Sequence, residues 1–450
     1  MRPGQSSENR MGRRKQREPE TATIESATHD GRGIAAVSGK KVFVAGALPG
    51  ETVEFIRRKS RRNFDEAELL EVITASDDRI EAKCEAFGRC GGCSLQHVSE
   101  DYQRSIKEQT LRDNLQRIAK CEPESWLPPM TGPVWGYRRR ARLAVKDVPA
   151  KGRVLVGFRE RHAPYVTDMH RCEVLVRPVD GMLDALSELI AKLSIRARLP
   201  QIEVAAAENA LALVFRVLDE PTATDKELLI AFGAEHDCRI YLQPGGLDSL
   251  QLIQPAEVDA ALFYTLPEFD IKIDFEPIDF VQVNSDINQR MVKFATEQLQ
   301  TGAEDRVLDL FCGIGNFSLP LARQCGSVLG IEGEKTLVAR AAENAQKNGI
   351  ENAEFKVADL SKIDGSEAWV KAGCDRLLLD PARSGAAEVV ARMQLLAPDR
   401  IVYVSCHPGT LARDAGILVH EQGYKLEAAG IIDMFPHTAH VESIAVFTRK

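Results

Sequence analysis

The feature that most constrains the fold is an alternation of apolar strands and helices from about residue 270 onward. Five strand-length segments there are almost entirely apolar: 306–311, 327–331, 353–357, 376–379 and 401–404. Helical patterns separate them, at 317–324, 335–348, 388–396 and 409–421. Fully apolar strands alternating with helices are typical of a parallel sheet with helices on both faces. The sequence therefore predicts a doubly wound sheet, which binds its ligands at the carboxyl ends of the strands.

Composition and cysteine usage bear on where such a chain works. No window approaches about 18 uncharged apolar residues, so we expect no membrane-spanning helix. The basic N-terminal residues lead into no apolar segment, so we expect no secretory signal. The chain is long enough to fold without disulfides, and its ten cysteines favour a reducing cytoplasm. In that compartment, clustered cysteines indicate metal binding or catalysis.

Charge divides the chain unevenly. Residues 1–62 carry 14 Lys and Arg against 7 Asp and Glu, whereas the remainder carries 44 against 59. We interpret residues 1–20 as a disordered basic tail, because they are polar and aperiodic. Residues 21–75 contain short strand-like runs and glycine turns, which predict a small OB-like barrel. Its basic stretch, 57–62, suits an RNA backbone, with a solvated hairpin tip as the alternative.

The central region, residues 76–269, predicts a mixed α/β domain and contains a cysteine cluster. Cys84, Cys90 and Cys93 lie close together, and two glycines between the last two permit a tight wrap. Three thiols so close indicate a metal centre, for which Cys172 is the best candidate as fourth ligand. The spacing leaves zinc, an iron–sulfur cluster and unbound structural cysteines as alternatives.

A glycine loop follows the first apolar strand. Gly313 and Gly315 allow the backbone to approach a ligand closely before the next helix begins. Ser318 stands where a dinucleotide fingerprint requires its third glycine. The loop resembles instead the first motif of class I S-adenosylmethionine methyltransferases. Glu332 and Asp359 end the next two strands, where carboxylates suit the ribose hydroxyls and the adenine edge.

Three further residues lie at the ends of later strands. Asp380 begins an Asp-Pro turn after the fourth strand, a position close to the cofactor or the substrate, although such pairs often form only turns. Cys406 ends the fifth strand and is a candidate nucleophile, with a small core residue as the alternative. Glu442 precedes the last strand and is a candidate general base, with a strand-edge charge as the alternative.

Together, these motifs resemble the RNA 5-methyluridine methyltransferase family over nearly the whole chain from about residue 21. The resemblance implies a TRAM domain at 21–75, a [4Fe–4S] cluster in the central domain at 76–269, and a Rossmann-like methyltransferase domain at 270–450. It assigns the cluster to Cys84, Cys90, Cys93 and Cys172. It assigns cofactor contacts to Gln282, Phe311, Asn316, Glu332, Asp359 and Asp380. It assigns the nucleophile to Cys406 and the base to Glu442.

The resemblance also implies a reaction. S-adenosylmethionine would methylate C5 of one uridine, position 1939, in 23S ribosomal RNA, after that base leaves its stack. Cys406 would add to C6 of the base, and Glu442 would remove the C5 proton. The family's Ser-Cys-Asn-Pro motif has His407 in place of Asn here, and the run 137–142 fits RNA contact.

We expect a cytoplasmic monomer without an obligate protein partner. The alternatives are a non-catalytic RNA-binding assembly factor on the same scaffold and a radical or redox iron–sulfur enzyme. The spacing of Cys84 and Cys90 and the doubly wound sheet argue against the second alternative.

Overall fold

The computed structural model describes residues 18–28, 30–161, 163–254 and 261–450. These residues form two compact units, one ending at Arg79 and the other running from Ile80 to Lys450. The disordered tail predicted for residues 1–20 lies outside the described residues as far as residue 17. No helix in the described ranges is long and apolar enough to cross a membrane.

The first unit is a six-stranded sheet. Its strands are β1 (Glu20–Thr23), β2 (Ser26–Ala27), β3 (Arg32–Val37), β4 (Lys40–Ala45), β5 (Thr52–Ser60) and β6 (Phe64–Thr74). They lie in the order β1-β5-β6-β4-β3-β2. Only two residues separate β1 from β2, at opposite ends of this order, so the sheet closes on itself as the predicted barrel requires. Alternate residues, such as Val42, Val44, Val53 and Phe55, fill the interior.

The second unit begins with elements that follow the cysteine cluster. They are α1 (Glu100–Asn114), β7 (Ser125–Trp126), β8 (Arg140–Val148), β9 (Arg153–Gly157), α2 (Leu183–Lys192), β10 (Gln201–Ala206), β11 (Leu211–Arg216), α3 (Ala223–Glu235), β12 (Cys238–Gln243), β13 (Gln251–Leu252), β14 (Leu262–Leu266) and β15 (Ile271–Phe275). Six of these strands form a sheet in the order β13-β12-β11-β10-β8-β9. Helices α2 and α3 pack on one face of it, against Leu143, Val154 and Ile202.

The C-terminal part contains the predicted doubly wound sheet. Its elements are α4 (Ser285–Leu299), β16 (Arg306–Leu310), α5 (Ser318–Ala322), β17 (Ser327–Glu332), α6 (Lys335–Lys347), β18 (Ala353–Val357), α7 (Ala368–Ala372), β19 (Arg376–Leu379), α8 (Ala387–Val390), α9 (Met393–Leu396), β20 (Arg400–Ser405), α10 (Pro408–His420), β21 (Tyr424–Ile432) and β22 (Glu442–Arg449). The strand order is β18-β17-β16-β19-β20-β22-β21-β7. Neighbouring residues Leu377 and Leu378 enter separate apolar clusters, which shows that both faces are covered and explains the continuous apolar strands.

Helix α1 and strand β7 precede the central sheet in sequence but belong to the C-terminal layer. Leu111, Leu115 and Ala119 are buried in the cluster that covers one face of the doubly wound sheet. Strand β7 pairs in parallel with β21 at the edge of that sheet. Helix α1 and strand β7, from the N-terminal side of the central region, therefore complete the layers of the doubly wound sheet.

The iron–sulfur site predicted for the central domain is wrong for the residues that the structure describes. Among them, no group of three or more His, Cys, Asp or Glu side chains is placed to hold a metal ion. Cys84, Cys90, Cys93 and Cys172 line one small cavity, but they pack within the apolar core of this region. Burial raises the pKa of Cys93 to about 11 and that of Cys172 to about 12. The sequence spacing therefore predicted that these cysteines lie close together, but the described residues do not form the predicted metal site.

Candidate active site

A cavity of about 490 Å³ opens at the carboxyl ends of the central strands of the doubly wound sheet. This is the position predicted for ligands of such a sheet. Of the eight predicted cofactor and catalytic residues, seven line this cavity. They are Gln282, Phe311, Asn316, Glu332, Asp380, Cys406 and Glu442. The structure thus brings together side chains from segments more than 100 residues apart in sequence.

The loop after β16 has the backbone conformation that a closely approached ligand requires. Phe311, Gly313 and Gly315 all have positive φ, at 68°, 54° and 95°. A Cβ atom added to Gly313 would meet nothing within 4 Å. The cavity side of this turn is therefore open, and a ligand could lie against the backbone there.

Glu332, at the end of β17, is held in place by the backbone. Its carboxylate accepts hydrogen bonds from the amide of Gly313 at 3.2 Å and from that of Gly333 at 2.7 Å. The first bond ties the glycine loop to the carboxylate across neighbouring strands. The loop and the acidic side chain therefore form one rigid wall of the cavity.

A polar network that sequence reasoning missed fixes Asn316. Its amide exchanges hydrogen bonds of 3.0 Å with Asn288 of α4, and the Tyr264 hydroxyl donates to its oxygen at 2.9 Å. Asn288 is a buried polar residue on the apolar face of α4, and that was the available signal. Tyr264 gave no comparable signal, because an aromatic residue in a strand is ordinary.

Two carboxyl groups lie deep at the strand ends. Asp309 is fully buried and accepts a hydrogen bond from the Ser318 hydroxyl. Burial raises the pKa of Asp309 to about 7, and the nearby charges of Asp380 and Glu332 act in the same direction. Burial likewise raises the pKa of Asp380 to about 7. Asp309 belongs to the glycine-loop motif, but the motif alone did not indicate a role for this side chain.

Cys406 and Glu442 are brought together by strand register. In the antiparallel pairing of β20 with β22, Ser405 lies opposite Ser443, so the next pair along is Cys406 and Glu442. Burial raises the pKa of the Cys406 thiol to about 11, and the charges of Glu442 and Asp380 add to this. Burial also raises the pKa of Glu442 to about 8. A carboxyl group that titrates near neutral pH beside a thiol can hold or accept a proton.

Arg383 and His440 also line the cavity and were not predicted. The charge of Arg383 opposes the pKa rise at both Cys406 and Glu442. It therefore favours the ionised forms that a nucleophile and a base need. Arg383 lies three residues after Asp380 in the same turn, so its closeness to that carboxylate was readable from the sequence, although its role was not.

The segment that leads into β22 is supported from helix α1. Lys107, 1% exposed, donates to the Asp433 carboxylate at 2.6 Å and to the Phe435 carbonyl at 2.9 Å. Gln103, one turn earlier, accepts a hydrogen bond from the His437 amide at 2.9 Å. Residues 103, 107, 111 and 115 follow one another at four-residue spacing and are all buried in the structure, where a lysine is unexpected.

Two other predicted residues lie elsewhere. Asp359 follows β18, but it does not line the cavity. It pairs with Lys362 at 2.7 Å, and hydrogen bonds from Lys362 and Ser361 lower its pKa to about 2. His407 is the N-cap of α10, where its Nδ1 accepts from the Thr410 amide at 3.2 Å. Asn is a favoured capping residue, so His407 fills the same structural position as the Asn of the family motif.

Family models and solved structures of known proteins match this chain. Residues 270–450 match a model of the tRNA (uracil-5-)-methyltransferase family, and residues 13–70 match the TRAM domain. A solved structure of Pyrococcus abyssi tRNA (uracil-54, C5)-methyltransferase with S-adenosyl-L-homocysteine has a TM-score of 0.72 and 24% identity, covering 95% of this chain and 100% of that one. The structural likeness supports the methyltransferase fold, and the family-model match supports the TRAM domain.

Proteins of similar sequence show to which family the chain belongs. The chain is 52% identical to the 23S rRNA (uracil(1939)-C(5))-methyltransferase RlmD of Methylococcus capsulatus, over 96% of this chain and 97% of that protein. It is 51% identical to the RlmD of Nitrosococcus oceani, again over 96% and 97%. The chain therefore belongs to the family of RNA uracil-C5 methyltransferases.

Proposed function

We propose that this chain transfers the methyl group of S-adenosylmethionine to C5 of one uridine in 23S ribosomal RNA, position 1939. The observation that carries the proposal is the pairing of Cys406 with Glu442 on the wall of a cavity that also holds the glycine loop. The curated relatives, which bear that activity in their names, support the choice of substrate.

The chain's own residues suit the cofactor. We propose that the Glu332 carboxylate accepts hydrogen bonds from the ribose hydroxyls of S-adenosylmethionine. The adjoining part of the cofactor would lie against the open turn at Gly313. Gln282, Phe311, Asn316 and Asp380 line the same cavity and complete the proposed contacts. When bound, S-adenosylmethionine supplies an electrophilic methyl group. The adenine contact predicted for Asp359 stays a prediction, because that side chain does not line the cavity.

The two reacting side chains have complementary tasks. The Cys406 thiol would lose its proton to water, the sulfur would form a bond to C6 of uracil, and the electron pair of the C5–C6 double bond would move toward O4. C5 would then be nucleophilic and would bond to the methyl carbon, while the bond between that carbon and the sulfonium sulfur breaks and S-adenosylhomocysteine leaves. Glu442 in its ionised form would accept the C5 proton, and breaking of the sulfur–C6 bond would restore the double bond. The positive charge of Arg383 favours the ionised forms of both groups.

We further propose that the substrate is met in the cytoplasm and that the monomer is active. The TRAM match supports an RNA ligand. The alternative hypothesis is a non-catalytic assembly factor on the same scaffold, which would bind RNA without transferring a methyl group.

A methylation assay distinguishes the methyltransferase hypothesis from the assembly-factor hypothesis. Wild type and Cys406→Ala are compared with labelled S-adenosylmethionine and unmodified 23S ribosomal RNA, and the labelled nucleotide is mapped. Cys374→Ala is the matched control, because Cys374 is buried away from the cavity. We expect label in one 5-methyluridine for wild type and control, and none for Cys406→Ala. Label that persists in Cys406→Ala contradicts the covalent mechanism, and no label with wild type favours the assembly factor.

A further inference from the structure

A second large cavity lies in the central region, on the face of its sheet that α2 and α3 leave uncovered. Its volume is about 730 Å³, within the range of known ligand pockets. Leu155 of β9 and Val166 form an apolar floor with Ala144 of β8. Among the described residues, this cavity shares no lining residue with the candidate active site. The proposed mechanism therefore leaves it without a role.

An aromatic ring stands at this cavity in an exposed position. Tyr165 lines it with 68% of its surface exposed. The surrounding hairpin is held by hydrogen bonds from the Glu160 amide to the Tyr165 carbonyl and from the Thr167 amide to the Phe158 carbonyl, both 2.9 Å. An exposed ring on a hydrogen-bonded backbone, beside an apolar floor, is a platform on which another planar ring can stack.

The charge around the ring is positive. Lys146, Lys151, Arg159 and Arg196 line the cavity, against Asp147 and Glu160. Lys151 pairs with Asp168 at 2.7 Å and Arg196 with Asp147 at 3.3 Å. Within the described parts of the chain, Lys146 and Arg159 form no ion pair within 4.0 Å. Two cations are therefore left to meet negative groups of a ligand.

Strand β8 connects this cavity with the surroundings of the candidate active site. Arg140, Arg142 and Lys146 alternate along it and so face the same side. Arg140 donates to the Pro277 carbonyl, shortly before the segment 280–283 that lines the active-site cavity. From Arg140 to Lys146 the strand spans about 20 Å at its usual rise. A basic row thus runs from one cavity toward the other.

We propose that this second cavity binds one base and the adjoining phosphates of the substrate RNA, several nucleotides from the target uridine. The inference rests on the proposed function, which supplies the RNA. Bases of single-stranded RNA stack on exposed aromatic side chains, and Lys and Arg neutralise the backbone. A free nucleotide would use the same ring and charges, but it would gain nothing from the basic row along β8.

The test compares wild type, Tyr165→Ala and Tyr165→Phe on two substrates. One is a 23S ribosomal RNA transcript, and the other is an oligonucleotide limited to the target uridine and its nearest neighbours. We expect Tyr165→Ala to raise KM for the transcript about tenfold, the loss of one stacked base, with kcat unchanged. Tyr165→Phe keeps the ring and should match wild type. All three proteins should act equally on the oligonucleotide.

Charge is tested separately by binding without cofactor. Lys146→Ala/Arg159→Ala should weaken transcript binding and reduce the slope of log Kd against log salt by about 2. Leu247→Ala and Lys192→Ala/Lys226→Ala are the matched controls, since these central residues line neither cavity. Leu247 and Lys192 are exposed and Lys226 is half-buried. Both should leave transcript binding unchanged.

Several results would overturn the proposal. The proposal is wrong if Tyr165→Ala leaves the KM for the transcript unchanged and Lys146→Ala/Arg159→Ala leaves the Kd unchanged. It is also wrong if Tyr165→Ala lowers activity equally on the transcript and on the oligonucleotide. Tyr165-dependent binding of uridine monophosphate with unchanged transcript affinity would assign the cavity to a free nucleotide instead. If wild type binds the transcript but does not methylate it, the proposed function fails. In that case the binding comparison still decides whether the second cavity holds RNA.

Discussion

The N-terminal barrel and the candidate active site both bury carboxyl groups, and their surroundings shift the pKa values in opposite directions. In the barrel, burial raises the pKa of Asp65, but ion pairs with Lys40 at 2.6 Å and Arg57 at 2.5 Å outweigh it and hold the pKa below its usual range. In the active-site cavity, burial raises the pKa of Glu442 to about 8. Among the described residues, Glu442 has no ion pair within 4.0 Å. Paired carboxylates hold a fold together, whereas an uncompensated one can exchange a proton near neutral pH.

The two settings also predict opposite pH dependence of stability. Asp65 has a lowered folded pKa, so it stabilises the fold above about pH 4, and this stabilisation is lost as the pH falls further. Glu442 has a raised folded pKa and keeps its proton in the fold when the unfolded chain has lost it. Its contribution to the free energy of unfolding therefore decreases as the pH rises from about 4 to about 8.

The largest effect is expected where the uncompensated carboxyl group is removed. Glu442→Gln should lower the turnover rate of the methylation reaction by about 10²- to 10⁴-fold, because no group remains to accept the C5 proton. The covalent RNA adduct of Cys406 should accumulate, and denaturing electrophoresis with labelled RNA would detect it. Glu427→Gln is the control, since Glu427 on β21 is paired with Arg400 at 2.8 Å outside the cavity.

The pH profile sharpens the same prediction. Below about pH 8 the protonated form of Glu442 cannot act as a base, so the wild-type rate should rise about tenfold per pH unit toward that value. The residual activity of Glu442→Gln should lack the rise that comes from Glu442 and keep only the rise that comes from ionisation of the Cys406 thiol, whose pKa is about 11. A wild-type rate that is flat between pH 6 and pH 8 would contradict the assignment of Glu442 as the base.

The next largest effect is expected at Lys107, whose buried ion pair lies close to the active site but resembles the pairs of the barrel. Lys107→Met leaves Asp433 buried without its partner, which should lower the free energy of unfolding by about 3–5 kcal/mol. Urea denaturation would measure the change. The double variant Lys107→Met/Asp433→Leu removes both charges and should recover most of the loss. A single-variant loss below about 1 kcal/mol would mean that the pair is solvated.

Much of this site was readable from sequence, because parallel strands bring their carboxyl ends to one edge. Glu332, Asp380 and Cys406 were each found as residues that end an apolar strand. Asp359 also follows a strand, but β18 is the edge strand of its sheet, and Asp359 does not line the cavity. The position of a residue after a strand predicts the edge at which it lies, but it does not predict the distance from the ligand.

Other features depend on contacts between distant segments. Lys107 supports a segment 326 residues away, and Tyr264 meets Asn316 from a strand outside the doubly wound sheet. No local pattern specifies such pairings. The cysteine cluster shows the opposite error, since its spacing suggested ligation but no group of three or more potential ligands among the described residues is placed to hold a metal ion. Sequence spacing reports which side chains are near each other, and the neighbouring charges decide what they do.

The smallest effect is expected in the barrel. Asp65→Asn leaves Lys40 and Arg57 without their charged acceptor and should lower the local stability by about 1–3 kcal/mol at pH 7. Hydrogen exchange of the β4 and β6 amides in the full-length chain, in increasing urea, would measure it. The control Glu66→Gln removes an exposed pair with Lys59 at 3.6 Å and should cost less than about 0.5 kcal/mol. The difference between Asp65→Asn and wild type should shrink below about pH 4, where Asp65 of the unfolded chain is protonated. If the difference were independent of pH, Asp65 would act through packing, and the contrast between paired and uncompensated carboxyl groups would not hold.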